Sequence, residues 1–229
     1  MKKMSLVLCA CAVAMAGLLA SCSNGPEEVV FVTEETTEAL YDVSGSFTKT
    51  VTSGLKDATT VTETVDTITS GYAKFGWTSK TVNESDAVNY CLWDSGYNYK
   101  RVETVTPASG DATTTTFSEA NGNLWWVDGW TSSPFYTFDS AVGDDTTGFS
   151  KIDGKYYALL RVSNWSTYDH MVNGTFTVTG DPETDSSFTV TMTVTDDNSS
   201  LDTDDDGVND VIYTRVYSYK LTFTKKGAN

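Results

Sequence analysis

The sequence predicts an all-β fold, a single antiparallel meander arranged as a β-sandwich or a barrel. Three observations carry this. Phe188, Val190, Met192 and Val194 alternate with Thr189, Thr191, Thr193 and Thr195, and Tyr217, Tyr219, Leu221 and Phe223 alternate with Ser218, Lys220, Thr222 and Thr224. Such a period of two, with one face coated in threonine, marks strands buried on one side. From Tyr41 onward, short β-branched and aromatic runs are broken by Gly, Asn and Asp, the punctuation of many short strands. No window after Cys22 holds an apolar helical stripe.

The N-terminal residues stand apart. Lys2 and Lys3 precede an apolar run from Leu6 to Leu19, followed by Ala20, Ser21 and Cys22. Charge, apolar run and small residues in this order form an export signal. The run is about 14 residues long, short of the roughly 20 that a membrane-spanning helix needs. Leu19-Ala20-Ser21-Cys22 resembles the lipobox of bacterial lipoproteins. That resemblance implies a signal peptide over 1–21, cleavage before Cys22 and lipid on Cys22. The chain would then be anchored to a membrane through several acyl chains. Ser23, rather than Asp, follows the cysteine, which by the same resemblance favours the bacterial outer membrane or cell surface. Residues 22–40, acidic and rich in Thr, read as the lipidated Cys and a tether spanning roughly 23 Å as coil. Val29 to Val32 is an alternative first strand.

Residues 41–229 read as the all-β domain. Tyr41–Val43, Phe47–Val51, Thr60–Ile68, Tyr72–Val82, Val88–Trp93 and Tyr97–Val105 are its first strand candidates. Val61 and Val65 share one parity and Ile68 takes the other. Thr113–Phe117 and Leu124–Trp130 follow. Tyr156–Val162 is apolar enough for a buried central strand. Phe176 and Val178, then the two alternating runs, complete about nine or ten strands. In texture alone the layout resembles calycin-like bacterial lipoproteins, whose Gly-x-Trp signature this chain lacks.

Charge narrows the partners. The chain carries a net charge of −16, and loss of residues 1–21 leaves 13 basic against 31 acidic residues, or −18. A surface this acidic repels nucleic acid, so no DNA or RNA partner is expected. Of four cysteines, Cys9 and Cys11 leave with the signal and Cys22 is lipidated. Cys91 alone remains and no intramolecular disulfide is available. Between Tyr90 and Leu92, it reads as a small core residue.

The sharpest motif of the mature chain is Asp202-Thr203-Asp204-Asp205-Asp206-Gly207-Val208-Asn209-Asp210. Carboxylates at positions 1, 3, 5 and 9 wrap one centre, and calcium prefers six to eight hard oxygens. Glycine at position 6 permits the sharp turn. The run resembles the calcium loops of EF-hands and of thrombospondin type 3 repeats. By that resemblance Asp202, Asp204 and Asp206 are ligands, Val208 contributes its carbonyl, and Asp210 binds directly or through water. Position 12 holds Tyr213 rather than Glu, so a bidentate ligand must come from elsewhere or be missing; Asp196 and Asp197 are candidates by proximity in sequence. The competing reading is a solvated acidic hairpin tip.

Aromatic residues make up 12% of the chain. Trp125 and Trp126 occupy opposite faces of a strand, so one of them points away from the core. Trp126 and Trp130, with Asn and Asp nearby, are the candidate ligand platform, since a flat ring covers a sugar's apolar face while polar neighbours bind its hydroxyls. Trp77, Trp93, Trp165, Tyr97 and Tyr99 add to the supply, though a β-core consumes most such rings. His170 is the only histidine, which excludes multi-histidine metal chemistry. The motifs of hydrolases, P-loops and dinucleotide-binding folds are missing. The expectation is a non-enzymatic, lipid-anchored binding module stabilised by calcium, taking a carbohydrate, a small apolar ligand or a host protein. The alternatives are a structural or antigenic surface lipoprotein and, third, a glycan-degrading enzyme.

Overall fold

The structure is a computed structural model. It describes residues 35–82, 85–124, 137–139, 144–146, 148–152, 154–157, 174–200, 207 and 209–227. The chain divides into units Met1–Phe31 and Val32–Asn229, and every described residue belongs to the second.

Twelve strands are described, with no helix among the described residues: β1 (Glu35–Leu55), β2 (Ala58–Val82), β3 (Ser85–Thr106), β4 (Thr113–Thr116), β5 (Ala120–Gly122), β6 (Thr137–Asp139), β7 (Asp144–Thr146), β8 (Gly148–Ile152), β9 (Lys155–Tyr157), β10 (Gly174–Thr179), β11 (Ser187–Asp197) and β12 (Val211–Lys225). One antiparallel sheet runs β10-β11-β12-β1-β2-β3-β8-β9, with β4 and β5 also on β3, and β6 pairs with β7 separately. The sheet begins at Glu35, ahead of the change in texture at Tyr41.

β1, β2 and β3 are each more than twenty residues long, against a usual five or six. They stay continuous because bulges bend them. Pairing of β2 with β3 slips between Ile68 and Ser70 and again between Lys74 and Phe75, leaving Thr69 and Trp93 as the extra residues. Each slip exchanges the two faces of a strand. Asp66 and Ile68 point inward before the first slip, and Ala73, Phe75 and Trp77 after it. In β3, Tyr90 and Leu92 give way to Ser95, Tyr97 and Tyr99. The runs Thr60–Ile68 and Tyr72–Val82 are therefore one strand, as are Val88–Trp93 and Tyr97–Val105. Gly45, at φ +129°, sits where a Cβ would lie 2.1 Å from the Lys220 carbonyl oxygen, so no other residue allows β1 to approach β12 this closely.

Bending brings distant parts of the sheet face to face. Phe188 of β11 lies 6.2 Å from both Phe75 of β2 and Phe149 of β8, between ring centroids, and stacks on Phe223 at 4.8 Å. Tyr41, Phe75, Phe149, Phe188 and Phe223 are at most 2% exposed, and their edge-to-face contacts fill the interior. The end strands β9 and β10 approach within 8 Å between Cα atoms but form no ladder. The sheet is thus an open meander folded over on itself, and the closed, calycin-like barrel is set aside.

Away from the aromatic centre the inner face turns polar. The cross-strand row Met192, Tyr219, Phe47, Asp66 and Arg101 ends in a carboxylate–guanidinium pair, its Asp66 buried. Both Asp66 oxygens accept 2.7 Å hydrogen bonds from the Arg101 guanidinium.

Candidate functional site

The outer face of β1, β2, β3 and β5 carries an open groove of about 850 Å³. It lies where the bulges bend the sheet. Gly71, Gly96 and Gly122 lie along it, and Tyr72, Asn98, Asn121 and Asn123 stand around them, with Asp42 and Lys226 at one side. Ser95, buried beneath, accepts the Leu124 backbone N–H at 3.0 Å and fixes the loop after β5.

The glycines are structural requirements. A Cβ on Gly96 would meet the Tyr72 ring at 3.0 Å, and one on Gly122 would meet Tyr97 at 2.8 Å. Tyr72 is therefore laid across the glycine opposite it in register, one side on backbone and the residue 37% exposed. Its hydroxyl donates to Asp94 Oδ2 at 3.3 Å. The Asp94 charge, with lesser help from desolvation and this hydrogen bond, raises the phenol pKa, so Tyr72 stays neutral. Asn98 Nδ2 donates to Ser70 Oγ at 3.1 Å, which orients the amide. The two charges at the side pair with each other, Lys226 Nζ lying 2.8 Å from Asp42 Oδ1.

Such a surface suits hydroxyl-rich ligands. An amide both donates and accepts, as a hydroxyl does, and an exposed ring beside it offers apolar cover.

The residues singled out from the sequence are distributed as follows. Cys22, Trp126 and Trp130 lie outside the described residues, as do Trp165, His170, Asp202, Asp204, Asp206 and Val208. Trp77, Tyr97 and Tyr99 are buried core. Trp93 is 44% exposed on the outer face. Cys91 is half-buried on that face, a correction to its reading as core: its neighbours Tyr90 and Leu92 point inward. Tyr72 and the asparagines escaped sequence reading, because pairing an aromatic with a glycine on the next strand requires the register, which the bulges disguise.

Of the acidic run, Gly207, Asn209 and Asp210 are described. Gly207 has φ +81°, the left-handed turn a sixth-position glycine supplies. Asp210 is 3.2 Å from Lys56 Nζ and its carbonyl accepts the Lys56 N–H at 3.0 Å, docking the hairpin tip on the β1–β2 turn. Asp196 accepts from Arg215 and Asn198, and Asp197 from Ser199 and Thr214. Both are thus engaged locally rather than held ready for a bidentate role. Gly207 fits a calcium loop; Asp210 would share its charge between Lys56 and an ion. Among the described residues no three His, Cys, Asp or Glu form a metal-binding group.

No family model matches the chain, and comparisons with curated proteins and with solved structures give no match either.

Proposed function

We propose that this is a lipid-anchored cell-envelope protein whose β domain, steadied by calcium at Asp202–Asp210, is a non-catalytic carbohydrate-binding module. The outer groove over Gly71, Gly96 and Gly122 is its site. One observation carries the reading: Tyr72 lies on Gly96 with its ring partly exposed, beside Asn98, Asn121 and Asn123. A pyranose would set its C–H face on Tyr72 and its hydroxyls among the amides. The inner face favours no small apolar ligand, since rings at 4.7–6.4 Å already fill it. The lipobox at Leu19–Cys22 supports the anchor.

The test is binding of the full-length, detergent-solubilised protein to a glycan array. Tyr72→Ala should abolish binding while leaving the melting temperature within a few degrees, because the ring is partly exposed. A Tyr72→Ala variant that keeps its glycan profile, or a wild type that binds no glycan, overturns the reading.

A further inference from the structure

The groove's outer face continues along β2 and β3 beyond Tyr72. There Trp93, the extra residue of the second bulge, lies over Gly76. A Cβ on Gly76 would fall 2.1, 2.3 and 2.5 Å from three adjoining atoms of the Trp93 six-membered ring. Distances so nearly equal place that point over the ring plane rather than at its edge, so Trp93 lies flat on the sheet. One ring face covers Gly76, and the side chain remains 44% exposed. Covering a glycine is one use of such a ring, yet that use does not require so large a share of the residue to stay exposed.

Trp93 and Tyr72 thus repeat one device, an aromatic ring laid on a glycine of the neighbouring strand. Trp93 lies three residue steps along β3 from Gly96 beneath Tyr72, a distance on the order of 10 Å at strand rise. Between them sit Lys74 and Asp94, facing in register. Lys74 Nζ is 2.9 Å from Glu38 Oε2 and 5.5 Å from the Trp93 ring centroid. Lys226 is likewise paired with Asp42. The two lysines beside the rings, Lys74 and Lys226, thus each already hold a carboxylate, and Asp94 adds negative charge. A polyanionic ligand would meet repulsion here, while an uncharged one would not.

Resting on the groove as a sugar site, we infer that Trp93 is a second stacking platform and that the ligand is a linear, uncharged oligosaccharide long enough to bridge Tyr72 and Trp93. Two platforms on one strip bind two units of one chain, so affinity grows with chain length until both are covered.

The experiment is calorimetric titration of the full-length protein in detergent micelles with neutral gluco- and xylo-oligosaccharides, from monomer to hexamer, and with oligogalacturonates of matched length. Neutral chains should gain about tenfold in affinity once they span both rings, and oligogalacturonates should bind more weakly at every length. Trp93→Ala should remove the gain with length. Trp93→Phe, which keeps a flat ring over Gly76, should retain part of the gain and controls for a fold disturbed by bare glycine. Length-independent binding, or oligomer affinity unaltered by Trp93→Ala where Tyr72→Ala abolishes it, refutes the second platform and leaves the groove standing. Tighter binding of oligogalacturonates refutes the uncharged ligand. Failure of every sugar to bind removes the groove reading itself.

Discussion

Asp66 shows how far single residues depart from their sequence appearance. A charged residue among threonines reads as exposed, yet it is 4% exposed and gripped at both oxygens by Arg101. Arg101 also lies 5.6 Å from the Tyr99 ring. Removing one partner strands the other in a low-dielectric setting. Asp66→Ala should cost about 3 kcal/mol in urea unfolding, at the lower end for buried pairs because Arg101 is partly exposed. The double change Asp66→Leu with Arg101→Met should recover much of this; a double variant as unstable as the sum of its parts would refute the account. Tyr72 was equally invisible, since what makes it a platform is Gly96 on another strand. Cys22 differs in kind: its lipidation is proposed from its neighbours in sequence alone, Leu19, Ala20 and Ser21. Palmitate-analogue labelling should mark the wild type and not Cys22→Ala, which should also leave the membrane fraction; a labelled variant refutes the anchor.

At the scale of elements, the alternating runs of β11 and β12 were legible because they contain no bulge. The long strands were not. Thr69 and Trp93 reverse parity within a continuous strand, and a reversal looks like a strand end when the partner strand is unknown. The β11–β12 hairpin also tests calcium. Its tip crowds Asp202, Asp204, Asp206 and Asp210 together in sequence, with Lys56 compensating at Asp210. Extracellular calcium modules bind at about 10⁻⁴–10⁻³ M, so millimolar calcium should stabilise the fold by about 0.4–1.4 kcal/mol. That raises the melting temperature by about 1–5 °C, with magnesium doing less because it demands tight octahedral geometry. Asp204→Asn should remove most of the calcium-specific shift. Equal shifts with the two ions would reduce the run to a solvated loop.

The whole molecule depends on tyrosines staying neutral. Burial, then the charge of Asp181, pushes Tyr41 up to about 12 from an ordinary 10.0. Burial raises Tyr90 further, reinforced by its 2.8 Å hydrogen bond to Glu183, and burial alone raises Tyr219. A raised folded-state pKa gives stability that is complete below pH 10 and lost as pH climbs through the folded value. Each tyrosine removes about 1.4 kcal/mol per pH unit only between 10 and its own folded value, so rising pH erodes a stability of about 5–15 kcal/mol. The protein should unfold cooperatively above pH 10, with a jump in tyrosinate absorbance, and Tyr219→Phe should move the midpoint to higher pH. Gradual ionisation near pH 10 without unfolding would contradict this. The fold class was legible at this scale because alternation survives in any all-β arrangement. Whether the sheet closed was not, because that depends on how β9 and β10 meet.

The continuous ladder between β1 and β12, from Tyr41 opposite Lys225 to Leu55 opposite Val211, has a kinetic meaning. Residues near opposite ends of the described chain must find one another before the central strand has both neighbours. Local hairpins such as β1–β2 and β11–β12 can form early, but neither buries the aromatic centre alone. High contact order of this kind places folding in the millisecond-to-second range rather than the microseconds of helical bundles. Until β12 arrives, one edge of β1 stands open with Phe47 and Val51 beside it, a template for pairing between chains. The step that brings β12 home is also the step that covers this edge of β1.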